Sequence, residues 1–222
     1  MGTFHSAIGE ISGTLGNFVY RRRNGKVIVS ARPVRRAPIS EGEKARHRIF
    51  GTITKVSSAI NGNSILKMLW PKKRSYAEIC KINFKLTNPA LPNYFPKIIP
   101  GNGYQVNDAN INLSEKGITI ATGPLSEDTG IDPKVEKWIS AAGVLIFFDK
   151  DNNGADKIMA VPITSGKQAI KSDEPINFEI NLYGNLCSSY TQCYKTKAIF
   201  TIVTLTEESL PIHYSIELKT EN

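Results

Sequence analysis

The stretch DKDNNGAD at 149–156 carries the one local spacing in this chain that suits a metal ion. A calcium loop takes oxygens from its first, third and fifth positions, a glycine at the sixth, and a bidentate acid at the twelfth. Asp149, Asp151 and Asn153 occupy the first three of these, Gly154 the sixth, and Asp156 adds a nearby carboxylate. The twelfth position is Ala160, so the closing ligand is missing. Asn152, Asn153 and Gly154 also suit a hairpin turn with acids at its solvated end. That simpler reading is preferred, and calcium stays as the only cofactor these residues point to.

A second set of residues could hold an anion. Arg21, Arg22, Arg23, Lys26, Arg32, Arg35, Arg36, Arg46 and Arg48 crowd into the first quarter of the chain, with Phe18 and Tyr20 beside them. Such a set can neutralise phosphates while aromatic rings stack on bases, which would make nucleic acid the partner. It can equally pair with an acidic surface on another copy of the chain. Residues 1–74 hold 15 Lys and Arg against three acids, a net +12, whereas residues 75–222 hold 13 against 17, a net −4. The basic character therefore belongs to one end.

Other chemistry finds little support. His5, His47 and His213 are scattered, Cys187 and Cys193 bracket SSYTQ rather than a zinc spacing, and no second cysteine pair completes four ligands. There is no GxSxG elbow, and TSGK at 164–167 lacks the upstream glycine of a phosphate loop. The expectation is a protein that is not an enzyme. Three cysteines are too few for a disulfide framework, and reduced thiols are expected.

The elements that must position these residues can be read from period and punctuation. Asn24-Gly25 is the favoured pair for a two-residue hairpin turn. It pairs Arg23 with Lys26, Arg22 with Val27, Tyr20 with Val29 and Phe18 with Ala31, giving an apolar face and a basic face. SEGEKARHRIFGTITKVSSAINGN then reads as a helix, with Ser40 and Glu43 in capping-box spacing and Asn61-Gly62 as the stop. This helix is the expected cover for the apolar face of the hairpin. SILKMLW, ending at Pro71, and SYAEICKINF, with a second capping box from Ser75 to Glu78, read as short helices. A strand is the alternative for the second of them.

Residues 87–103, TNPALPNYFPKIIPGNG, carry four prolines and read as a linker. Beyond them the period changes to two. ANINLSEKGITIAT and GVLIFFDKDNNGADKIMAVPI read as hairpins, and INFEINLYG, KAIFTIVTLT and IHYSIEL as further strands. The expected class is mainly β. A basic N-terminal hairpin and helical module (1–86) precedes a proline-rich linker (87–103) and an antiparallel, immunoglobulin-like β-sandwich (104–222). MGTFHSAIGEISG has no charged-then-apolar leader, and no run approaches the roughly 18 apolar residues of a membrane span. Synthesis in the cytoplasm without membrane insertion is expected, and the final location is left open, with a virion or an extracellular assembly among the readings.

The order of features resembles a family of roughly 200-residue Bacteroidota proteins of unknown function. SGTLGNFVYRRRNGKVIVSARP is similar to that family's N-terminal segment, EKARHRIF to its Arg and Phe helix, and SYAEICKINFKLTNP and NINLSEKGITIA to the segments that follow. The run Arg21–Arg23 departs from the pattern, where a Trp or Gly is common. The resemblance implies a fold and no catalytic residues. Taken together, the expectation is a structural protein that self-assembles through the hairpin and helix. The alternatives are nucleic-acid binding by the basic arm and calcium-dependent binding of a surface by the sandwich.

Overall fold

The computed structural model describes residues 2–4, 13–15, 17–32, 38–71, 73–86, 94–125, 129–150, 156–171 and 174–221. The chain divides into two compact units, Met1–Ala45 and Arg46–Asn222. It is mainly β, with antiparallel sheets throughout, an N-terminal hairpin and few helices.

In the first unit, β3 (Phe18–Arg23) and β4 (Lys26–Ala31) form the hairpin in the register expected from Asn24-Gly25. Both turn residues have positive φ, +53° and +73°, as a type I′ turn requires. Two three-residue strands extend the pair. β2 (Gly13–Leu15) joins β3 and β1 (Gly2–Phe4) joins β4, giving the order β1-β4-β3-β2. The hairpin edges are thus partly occupied by the chain itself.

The second unit is built in layers around one long sheet. β7 (Glu136–Lys150) and β11 (Lys195–Thr206) pair along almost their whole length. β8 (Asp156–Thr164) and β9 (Gln168–Ala169) flank β7, while β12 (Pro211–Tyr214) and β13 (Leu218–Glu221) share the far edge of β11. A second sheet, β10-β6-β5, comprises β5 (Asn110–Leu113), β6 (Gly117–Thr122) and β10 (Ile176–Asn181). Its inward residues Ile118, Ile120 and Phe178 share a core with Leu145, Phe147 and Phe200 of the long sheet. A short helix, α4 (Asn185–Gln192), leads from β10 into β11.

The opposite face of the long sheet is covered by helices. α1 (Glu41–Gly62), α2 (Ser64–Leu69) and α3 (Ser75–Leu86) supply Val56, Ile60, Leu66 and Ile79 to a core with Val144, Ile146 and Ile199. β7 and β11 are therefore buried on both faces, which is why VLIFF and AIFTIVTL are nearly continuous apolar runs. The division falls after Ala45, inside α1, rather than at residue 86, so most of α1 and all of α2 and α3 lie in the second unit. The expected linker also changes. Residues 87–93 lie outside the described residues, but Tyr94, Ile98 and Ile99 are buried in the body and the Trp70 indole donates to the Ile98 carbonyl at 3.0 Å.

Helix starts follow local chemistry in one case and depart from it in another. Ser40 caps α1, its hydroxyl accepting from the Glu43 amide at 3.3 Å. Ser75 was expected to do the same for α3, but its hydroxyl instead donates to the Asn61 side chain at 3.0 Å. Asn63 joins the helical layer to the sheet. Its Oδ1 accepts from the Ile65 and Leu66 amides, both at 3.1 Å, and its Nδ2 donates to the Ile163 carbonyl and Thr164 Oγ1, both at 3.0 Å. Asn63→Ala should therefore cost about 2–3 kcal/mol, roughly half from the lost cap and half from the stranded carbonyl. A lower urea midpoint at unchanged slope would show it, and Asn63→Asp, which sets a charge against that carbonyl, should not rescue it.

Candidate interface on the basic sheet

Alternation along β3 and β4 places the side chains. Phe18, Tyr20, Val29 and Ala31 fall on one face, and Val19, Arg21, Arg23, Lys26, Ile28 and Ser30 on the other. Phe18 is 50% exposed, Tyr20, Val27 and Val29 are half-buried, and no residue from 17 to 32 whose side chain is described is buried. On the basic face, Arg23 stands directly across from Lys26. Like charges in that position repel. Arg21, Arg23, Lys26 and Arg32 have no acidic partner among the described residues. The sheet therefore presents under-covered apolar surface on one side and unneutralised cations on the other.

The remaining expected contact residues divide between places. Arg22 sits opposite Val27 by its backbone, and Arg35 and Arg36 lie outside the described residues. Arg46 and Arg48 are exposed on α1 in the second unit and are not part of the small sheet. Residues 1–45 hold eight Lys and Arg against three acids, a net +5, while residues 46–222 hold 20 against 17, a net +3. The acidic excess is confined to residues 75–222 and is not a property of the whole body.

Of the expected calcium positions, Asp149 pairs with Lys157 and Asp156 with Lys150 between β7 and β8. Asn152 and Gly154, expected as turn residues, lie outside the described residues. Asp151 and Asn153 lie outside the described residues, and Ala160, at the ligand position that closes a calcium loop, pairs with Ile146 inside β8.

Two buried polar clusters escaped sequence reading. Glu136 is 2% exposed and gathers the Thr204 hydroxyl, the Asp132 amide at 2.9 Å and His213 Nδ1 at 3.1 Å. Lys197 is fully buried, donates to the Tyr94 carbonyl at 3.0 Å, lies 3.4 Å from Glu221, and stands 4.1 Å above the Phe95 ring. Burial holds its ammonium below the ordinary lysine range, with Glu221 pulling the other way. Glu136 and His213 are 77 positions apart, so no local spacing could have joined them. Among the described residues no group of three His, Cys, Asp or Glu is placed to hold a metal.

Among the described residues no helix is long and apolar enough to cross a membrane. No protein-family model, curated protein or solved structure matches the chain.

Proposed function

We propose that this chain is a non-enzymatic structural protein that associates with further copies of itself through the basic four-stranded sheet, in a filament, sheath or virion. The supporting observation is the sheet's lack of cover: Phe18, Tyr20 and Val29 share a face, yet none of them is buried. A small sheet needs its apolar face packed to be stable, and a second copy can supply that packing. β1 and β2 are only three residues long, so among the described residues Arg21–Arg23 on one edge and Ser30–Ala31 on the other keep free backbone groups for a neighbour's strand. The acidic excess of residues 75–222 offers the cations a partner on that neighbour. In the body, the order β10-β6-β5 against β8-β7-β11-β13 supports the reading of an immunoglobulin-like sandwich, a scaffold suited to outward display.

Light scattering of the full chain from about 1 to 100 µM should show mass rising with concentration. Phe18→Glu with Val29→Glu should hold it at the monomer mass while the melting temperature of the body stays put. A wild-type chain that is monomeric throughout would overturn the reading. The unneutralised Arg21, Arg23 and Lys26 also favour a second reading, nucleic-acid binding. It requires duplex or single-stranded DNA binding whose logarithm falls linearly with the logarithm of salt.

A further inference from the structure

The sheet β10-β6-β5 has an outer face that the assembly reading leaves unused. Register places eight residues on it, in three rows: Asn110, Ala121 and Asn177; Asn112, Thr119 and Glu179; and Gly117 with Asn181. The inward residues of the same strands, Ile118, Ile120 and Phe178, are core. Four of the eight outward positions are asparagine, a residue that strands disfavour. A solvated face needs no such choice, because threonine, lysine or glutamate would serve at lower cost to the strand. Rule-breaking of this kind, repeated on two strands and on one face only, marks a site of function.

The shape follows from side-chain size. The central strand offers Gly117, Thr119 and Ala121 as a low floor, and the flanking strands raise longer side chains on both sides. Gly117 also has a structural reason to be glycine, since a Cβ there would meet the Ile180 carbonyl oxygen at 2.6 Å. Adjacent strands lie about 4.8 Å apart, so the two asparagine rows stand roughly 10 Å from one another, the width of one extended chain. A hollow of ≈ 240 Å³ opens on this face between Asn112, Thr119, Glu179 and Asn181. A second, of ≈ 400 Å³, lies along the edge of β10 beside Gln168, Asn177 and Glu179.

We propose that this face binds a neutral oligosaccharide whose chain lies along β6 between the two asparagine rows. Each carboxamide presents a donor and an acceptor, the combination that matches a hydroxyl, which is itself both. The side-chain amides of Asn110, Asn112, Asn177 and Asn181 have no hydrogen-bond partner among the described residues. Glu179 is the only charged residue in the three rows, Glu115 and Lys116 offset one another in the turn at one end, and Lys167 beside the second hollow offsets Glu179. That balance suits an uncharged ligand better than a polyanion. A peptide strand cannot pair with β6, whose backbone is already paired on both sides, and addition at the edge of β10 is the outcome that the peptide comparison detects. The site is independent of the loop at 151–155 and does not rest on the self-assembly reading.

The full chain would be titrated, with nuclear magnetic resonance readout of side-chain amides, against cellohexaose, xylohexaose and mannohexaose. Hexagalacturonate and a ten-residue Ser/Thr peptide serve as comparisons. At least one neutral hexasaccharide should shift the Asn112 and Asn177 resonances with Kd near ~1 mM or tighter. Asn112→Ala and Asn177→Ala should each weaken binding ~10-fold at unchanged melting temperature. Phe18→Glu should leave it unaltered. The proposal is overturned if no neutral hexasaccharide binds by ~10 mM, if only the peptide or the charged sugar binds, or if binding survives in the Asn112→Ala, Asn177→Ala double variant.

Discussion

Replacing Gly143 with alanine is expected to cost about 3 kcal/mol or more, a large share of the about 5–15 kcal/mol by which whole domains are stable. Gly143 lies in the middle of β7, directly opposite Phe200 of β11. A Cβ at this position would stand inside contact distance of the Ile199 carbonyl oxygen and of the Phe200 ring. An exposed strand could bow away. β7 cannot, because the helical layer packs on one of its faces and the β10-β6-β5 sheet on the other. Moving the Phe200 ring would reopen the core shared with Leu145 and Phe178, and it would still leave the Ile199 backbone oxygen in the way. Gly166 is the control: it is exposed with nothing within 4 Å of an added Cβ, so Gly166→Ala should stay within about 0.5 kcal/mol of the parent. Urea unfolding of both variants checks the contrast, and a Gly143→Ala chain that unfolds at the parent midpoint would show that the layers yield more than their packing implies.

The same sandwiching of β7 explains what could and could not be read from sequence. The hairpin was legible to the residue, because Asn24-Gly25 sets the turn and alternation then sets every pair from Arg23 and Lys26 to Phe18 and Ala31. α1 was legible from Ser40 and its apolar spacing, but its destination was not. Periodicity shows that Val56 and Ile60 need cover without showing which surface provides it, and the long sheet is the partner. β1, β2 and β9 are too short to carry a period, and α4 lies in a polar stretch with no buried residue to mark a face. The asparagines of NIN and NFEIN were visible as letters. Their meaning depends on the pairing of β5 and β10 through β6, which places four of them on one surface.

Raising the pH above about 10.5 is expected to remove stability at close to 2.7 kcal/mol per pH unit, so that about 4 kcal/mol is gone by pH 12. Two tyrosines set this slope. Tyr94 is buried, with its hydroxyl donating to Asn83 Oδ1, and burial, helped by Glu217, raises its pKa far above the usual value near 10. Tyr104 donates to the Ile202 carbonyl at 3.3 Å, and burial with Glu136 nearby raises it likewise. Below pH 10 both are protonated whether the chain is folded or not, and they contribute no dependence. Above it the unfolded chain releases two protons that the folded chain keeps, so the unfolded state gains on the folded one with each unit. Lys197 acts in the opposite sense and over a lower interval. Its pKa is depressed by burial, so between that value and the ordinary lysine value the unfolded chain holds the extra proton and stability rises with pH. That rise ends near the unperturbed lysine value of about 10.4, and above it Tyr94 and Tyr104 dominate, with Tyr76, also raised by burial, acting in the same sense. Urea unfolding at steps of pH from 9 to 12 should therefore give a curve that climbs gently and then falls. Tyr104→Phe should remove about half of the fall, and the double variant with Tyr94→Phe should remove most of it. If the double variant keeps the parent slope, groups other than these two tyrosines govern the alkaline limit of the fold.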